Sequence, residues 1–259
     1  MVKPAVRRLF GNAAVLDAPD DDPATFARHR AIIASKPLLA DVYRSFYEEL
    51  ARVAAALPPG ARVELGAGGG FFKRYLPEAL TSDVVVGADV DLVCSAEALP
   101  FADASVAGLF LLDAFHHLRR PARLLAEAER CLRPGGRLVM IEPAGTWWGR
   151  LVRKTLHHEA YDDRAGWELA DGAHSNLALP WIVFSRDRAD FARAFPRLHL
   201  VRCEPHTPLR FLLSGGVSYR SLVPGALAPL LRLVERAAVP LNPVFGLHVT
   251  IELVKREAS

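Results

Sequence analysis

Val63-Glu64-Leu65-Gly66-Ala67-Gly68-Gly69-Gly70-Phe71 is the stretch that decides how this chain folds. Ala61 to Leu65 reads as a short apolar strand, and it runs straight into a glycine turn. Glycine adopts the dihedrals of a tight turn and removes side chains that would keep a ligand away from the backbone. In an open α/β sheet such a turn lies at the carboxyl end of a strand, where ligands bind. Two cofactor readings compete. A dinucleotide loop needs G-x-G-x-x-G, and Phe71 stands where the last glycine belongs. The spacing present is E-x-G-x-G-x-G.

Outward from this loop, strands and helices alternate. Upstream, Asp22 followed by Pro23 forms a helix start, with an acid to cap and a proline in the first turn. That helix is expected to reach about Ser35. Pro37 opens a second helix, whose Leu39, Val42, Phe46, Leu50, Val53 and Leu57 recur three and four apart on one face. Pro58-Pro59-Gly60 stops it. Downstream, Phe71 to Leu76 is expected to open a helix, and the valine-rich run Asp83 to Val90 a strand or extended loop. Ala107 to Leu112 is an apolar strand. Pro121 to Arg133 is an amphipathic helix that Pro134-Gly135-Gly136 ends, a glycine supplying the left-handed cap. Arg137 to Ile141 is a further strand. The alternation predicts an α/β fold: a Rossmann-like, doubly wound sheet of about seven strands with N-terminal helices. After Pro143 the rhythm changes. Residues 144–196 are irregular and rich in aromatics, histidines and acids, and 208–245 form an apolar, proline-punctuated helical segment. Leu198 to Glu204 and His248 to Lys255 return as strands of the same sheet. The chain thus divides into an N-terminal arm and helices (1–60), a cofactor core (61–143) and a helical or irregular cap with the final strands (144–259). Residues 1–21 read as a loose arm.

The loop and three later segments together resemble the class I S-adenosylmethionine-dependent methyltransferases, nearest to bacterial members of unassigned substrate. Ala96-Glu97-Ala98-Leu99-Pro100-Phe101 resembles their A-E-x-L-P-F, His116-His117-Leu118 their HHL after strand four, and Glu127 through Leu132-Arg133-Pro134-Gly135-Gly136 their E-x-x-R-x-L-x-P-G-G. These cover residues 61–143 in order. The resemblance implies S-adenosyl-L-methionine as cofactor. It places Gly66, Ala67, Gly68 and Gly70 against the methionine part, with Glu64 orienting the loop or meeting the amino group. Ala96 and Leu99, with Phe101, pack the adenine, and Asp113 joins the cofactor set at the end of strand four. The acid that holds the ribose ends strand two, and both Asp83 and Asp89 compete for this place. Thr81-Ser82-Asp83 and the interval to Leu99 suit the bacterial group and favour Asp83. Two positions depart from the family pattern: Ser95 stands where an aspartate usually holds the adenine amino group, and Ala107 where strand four usually begins with an acid.

Methyl transfer to an O–H or C–H acid needs an aligned nucleophile, exclusion of water and removal of a proton. The catalytic candidates are His116 and His117, which follow strand four, and His158 and Glu159 in the His157-His158-Glu159-x-Tyr161-Asp162 run, where the bacterial group also carries H-H-E. A metal held by His157, His158 and Asp162 lacks a recognised ligand pattern, and none is predicted. Tyr43 and Tyr47 lie four apart on the second helix, as packing or as cover for the cofactor.

The 259 residues carry a net charge of only +3 with acids and bases intermixed, which argues against a nucleic-acid partner. Cys94, Cys131 and Cys203 lie far apart in apolar segments and read as reduced thiols. No signal peptide and no membrane span is evident, so the expected location is the cytoplasm. A peripheral membrane contact and the oligomeric state stay open. The expected substrate is a small or lipid-like organic molecule. The rival reading is a non-catalytic cofactor-binding or interaction module that docks through 144–245.

Overall fold

The computed structural model describes residues 23–87 and 89–257. Asp22 and the arm 1–21 lie outside the described residues. Two helices, α1 (Pro23–Ser35) and α2 (Pro37–Ala55), precede strand β1 (Ala61–Leu65). The chain then forms β2 (Leu80–Asp83), β3 (Leu92–Val93), β4 (Val106–Leu112), helix α3 (Pro121–Cys131), β5 (Leu132–Pro143) and helix α4 (Trp147–Leu156). A short helical turn, Leu179–Trp181, leads through a π-turn into α5 (Arg188–Ala194) and β6 (Leu198–His206). Helices α6 (Arg210–Ser214), α7 (Ala228–Ala237) and α8 (Asn242–Phe245) precede β7 (His248–Lys255).

The seven strands lie in the order β3-β2-β1-β4-β5-β7-β6. β1 to β5 are mutually parallel, and β7 is antiparallel to both β5 and β6. All seven residues of β4 are buried, as a central strand covered on both faces requires. Alternation sorts its side chains. Leu109 and Leu111 join Leu124, Leu125, Leu138, Met140, Phe184 and Ile251 on one face. Phe110 and Leu112 join Val139, Ile141 and the α2 residues Leu39, Val42, Phe46 and Leu50 on the other. The α2 stripe is therefore the cover of one sheet face, and Pro37 stands in its first turn, where no N–H is needed.

Three expectations are corrected, and one open alternative is decided. No α-helix follows the glycine loop. One 3-10 turn, Phe72–Arg74, is all that fits before Pro77 and β2, and Phe72 is spent as a fully buried core ring. Of the strand and the extended loop expected for Asp83–Val90, the loop is what forms: β2 ends at Asp83, and Val84 and Val86 face solvent. The loop folds back because Asp91 accepts the Thr81 amide at 2.9 Å and the Thr81 hydroxyl donates to the Asp89 carbonyl at 2.6 Å. Helix α3 stops at Cys131, not Arg133, since Leu132 is already extended and paired with Val106. Gly135, with φ +77°, therefore sits at an irregularity of β5 and caps no helix. Finally, 144–196 is less irregular than expected: the Thr146 side chain accepts the Gly149 amide and caps α4.

Candidate active site

The glycine loop is shaped by its backbone. Gly66, Gly68 and Gly70 have φ of +73°, +47° and +68°, a region costly for other residues. A Cβ on Gly66 would strike Ala114, so the loop presses on the end of β4. A Cβ on Gly68 would meet only the loop's own Gly66 carbonyl oxygen, at 3.9 Å. Space is thus open beside the middle glycine. Ala67 is buried, and its amide donates to the Ser82 carbonyl.

Asp83, buried at the end of β2, accepts the Gly68 amide at 3.0 Å and the Val85 amide at 3.3 Å. Asp89 lies outside the loop, ion-paired with Arg30 and packed against Gly70. Glu64 is 1% exposed. Burial pushes its carboxyl well up; the Tyr47 hydroxyl bond opposes this and the Asp83 charge adds to it. Glu64 Oε2 has no hydrogen-bond partner. A buried carboxyl oxygen without a donor, on the strand that leads into the glycine loop, fits a ligand that brings an amino group.

The next motif is architectural. Ser95 is exposed, and its hydroxyl accepts the Glu97 amide in its own turn. Leu99 is a core residue whose amide donates to Glu127, and Ala96 packs beside the same core. Arg130 donates to the carbonyls of Leu99 and Phe101. The Glu127–Arg130 pair thus clamps the loop 99–101 onto α3.

Past Ala114 the polar residues converge. Asp113 follows β4 with φ +50°, uncommon for a non-glycine residue. Burial and then the Glu142 charge push it up to about 7. His248 Nε2 lies 3.7 Å from Asp113 Oδ1. His116 is buried, with Nδ1 2.7 Å from Glu142 Oε2. Glu142 Oε1 accepts the amides of Ala114 and Phe115. Glu159 approaches from the cap: its Oε2 is 3.5 Å from His116 Nε2 and 3.9 Å from His117 Nε2, and its Oε1 is 3.7 Å from His158 Nε2. Burial alone would lower the His116 imidazole, but Glu142 and Glu159 outweigh it and push it up to about 10. Burial opposes ionisation of Glu159, but the bond and charge of His116 outweigh it and hold the carboxyl well below its usual range. His157 is pushed down to about 3 by burial. Burial, with the charges of Asp113 and Glu159 adding to it, also raises Tyr43 on α2, so the N-terminal helices reach this cluster.

The cap segment is fastened here by Asn176. Its Oδ1 accepts the Asp162 and Ala178 amides, its Nδ2 donates to the Asp162 carbonyl, and its own amide donates to the His116 carbonyl. The structure therefore brings His116, His117, His158 and Glu159 together and leaves Asp162 in the strap, outside the cluster. Tyr161 is turned toward Lys154, whose ammonium lies over its ring. Sequence reasoning missed Glu142 and His248. Glu142 carried a signal, an acid ending an otherwise apolar strand; the distant His248 carried none.

A seven-stranded sheet with one antiparallel strand beside β5, and a glycine loop at the end of β1, is the arrangement of the class I S-adenosylmethionine-dependent methyltransferases. Residues 63–140 match the family model described as a methyltransferase domain. The malonyl-[acyl-carrier protein] O-methyltransferase of Methylococcus capsulatus is 35% identical over 101 residues. That match takes in 32% of this chain and 37% of the relative's length. A solved structure from Thermotoga maritima, described as an S-adenosylmethionine-dependent methyltransferase and possible histamine N-methyltransferase, superposes with a TM-score of 0.52 at 18% identity, covering 91% of this chain and all of the other. Geranyl diphosphate C-methyltransferase from Streptomyces coelicolor gives 0.48 at 16% identity over 95% and 89% of the two chains. The cofactor of the family is S-adenosylmethionine. The loop opens no helix, so the helix N-terminus that holds the pyrophosphate of a dinucleotide is missing. No helix among the described residues is long and apolar enough to cross a membrane.

Proposed function

We propose that this chain transfers a methyl group from S-adenosylmethionine to a nucleophilic atom of a small or lipid-like organic substrate. One observation carries the reading. The glycine loop rests on Ala114, and Asp113, His116 and His117 flank that same residue with Glu159 over them. The cofactor loop and the titratable cluster thus meet at Ala114.

The bound cofactor supplies an electrophilic methyl group on sulfur. Gly66, Ala67, Gly68 and Gly70 hold its methionine part, Glu64 receives its amino group, and Asp83, of the two competing acids, serves the ribose. Around the acceptor, Glu159 orients the nucleophile's hydrogen. Asp113, pushed up to about 7, is matched to take a proton near neutral pH. His116, pushed up to about 10, serves as a fixed donor in this reading, with His117 and His158 beside it. A lipid-like acceptor is supported by apolar side chains on the cap that face outward, among them Leu222, Leu230, Leu233, Leu241 and Trp147. The proposed location is the cytoplasm.

Calorimetry with S-adenosylhomocysteine, followed by mass spectrometry of a panel of O, N and C acceptors, tests the reading. Binding followed by a gain of one methyl on an acceptor supports it. Tight binding with no methylated product would favour a non-catalytic cofactor-binding module, and no binding removes both.

A further inference from the structure

Helix α7 is turned inside out. Its buried residues are Ala228 and Glu235, and its outward residues include Leu230, Leu233 and Val234. The inward side is ionic: Glu235 pairs with Arg210 and accepts two backbone amides, and Arg232 pairs with Asp41. The outward side is apolar, with Leu230 56% and Leu233 62% exposed. A surface helix that meets only water carries the opposite arrangement. The apolar surface continues beyond α7. The turn Val239–Leu241 runs from α7 into α8 and exposes Val239 and Leu241. Helix α8 packs on α4, where Phe245 meets the rings of Trp147 and Trp148 at 6.5 Å each. Trp147 is 62% exposed, and Leu151, one turn along α4, is exposed as well. Exposed apolar side chains gathered over neighbouring elements mark an interaction surface.

We propose that this face of the cap, formed by α7, Val239–Leu241, α8 and the first turns of α4, docks on an anionic lipid surface. Charge selects the occupant. Residues 145–156 and 219–247 carry Arg150, Arg153, Lys154, Arg220, Arg232 and Arg236, and one carboxylate, Glu235. That carboxylate is buried on the inward side of α7, against Arg210. Arg150 and Lys154 share Asp163 of the neighbouring strap. Arg220 and Arg236 are exposed and make no ion pair among the described residues. Leucine and tryptophan beside arginine and lysine is the composition of an interfacial membrane helix, whose apolar side enters the headgroup layer while its cations meet lipid phosphates. Trp147 suits that depth, with an apolar ring and a polar N–H. A second copy of the chain fits less well, since a two-fold interface sets these cations against their own counterparts. Helix α4 links the face to the site. Trp147 and Leu151 point outward, while Arg153 is buried, donates to the Leu247 carbonyl at 2.6 Å and acts with its charge on Asp113. Docking through this helix anchors the protein next to the titratable cluster. The surface stands apart from methyl transfer; only its service to a lipid-borne acceptor rests on that reading.

The test is co-sedimentation of the full chain with vesicles of equal parts phosphatidylglycerol and phosphatidylcholine, with phosphatidylcholine alone as control. Binding to the mixed vesicles is expected, about tenfold weaker on phosphatidylcholine alone and falling as salt rises. Leu230→Gln combined with Leu233→Gln should lower binding to the mixed vesicles about tenfold or more, because two apolar side chains no longer enter the lipid. Arg220→Gln and Arg236→Gln should each lower it about fivefold and together erase most of the preference for anionic lipid. All four positions are exposed, and circular dichroism checks that the variants fold. Absence of wild-type binding to the mixed vesicles, equal binding to both vesicle types, or binding unchanged in the double leucine variant overturns the proposal. Self-association in sedimentation velocity that the leucine variant abolishes, without vesicle binding by the wild type, gives the face to a second copy instead. S-adenosylhomocysteine calorimetry on the same samples separates the two readings. Cofactor binding without vesicle binding sinks only the docking surface, and vesicle binding without cofactor binding sinks only the methyltransferase activity.

Discussion

Asp83 Oδ2 accepts the Gly68 amide at 3.0 Å, which ties the end of β2 to the middle of the glycine loop. A carboxylate so placed holds the loop and stands where a ribose is expected. Hydrogen bonds to charged groups are worth about 1.5–3 kcal/mol. Asp83→Asn is therefore expected to weaken S-adenosylhomocysteine binding roughly tenfold or more in calorimetry. Asp89→Asn, which disturbs only the half-exposed pair with Arg30, should change it little. The opposite ranking would move the ribose to Asp89.

Gly68→Val tests the loop itself. The position has φ +47° and open space where a Cβ would go. The backbone penalty is about 1–2 kcal/mol, which a folded domain of this size survives. Cofactor binding is expected to vanish in calorimetry while the melting temperature falls by only a few degrees. Unaltered affinity would show that the ligand does not approach this backbone.

Stability should fall on both sides of neutrality for separate reasons. His116 is raised from 6.5 to about 10, so its contribution is complete below pH 6.5 and is lost as pH climbs through 10. His157 and His206 are lowered from 6.5 to about 3 and about 4. The unfolded chain binds the protons they refuse, so stability drops as pH falls below 6.5. Each group contributes a slope of at most about 1.4 kcal/mol per pH unit. Urea unfolding from pH 4 to 10 measures this. His116→Gln should flatten the alkaline limb alone, and an unchanged limb would refute the assignment.

A buried ion network locks the cap to α2. Arg210 donates to Asp41 at 2.8 Å and also to Glu235, which itself accepts the Leu209 and Arg210 amides. Arg210→Met leaves two buried carboxyls short of a partner and should cost about 3–5 kcal/mol in chemical denaturation. A loss under 1 kcal/mol would mean that water reaches these groups.

The parts of the fold that follow from periodicity were legible. The α2 stripe, β4 and β7 could be read from spacing and apolar runs because local pattern and burial agree there. The helix expected after Gly70 failed because Phe71 and Phe72 look like a helix face but serve as plugs against Phe110 and Tyr47. Cys131 to Arg133 was misjudged because Pro134-Gly135-Gly136 signals a helix stop as readily as an irregular strand. At the site, His116, His117, His158 and Glu159 were named as candidates, but nothing in the sequence showed that one carboxylate would face three imidazoles. That meeting depends on Asn176 strapping the segment 160–162 to the His116 carbonyl, a contact across 60 residues that no local rule reports.

Pro143 and His248 are register partners across β5 and β7. The excursion that carries the cap therefore departs from the sheet and rejoins it at neighbouring points. Closing such an excursion costs little more when it lengthens, about 0.6 kcal/mol for each doubling. Evolution can thus trade one recognition surface for another between two fixed posts, while Gly66 to Gly70 and Asp83 remain undisturbed. By the same token an engineer could graft a relative's excursion between these posts, and would have to carry a replacement for β6 with it, because β7 needs a neighbour on its far side.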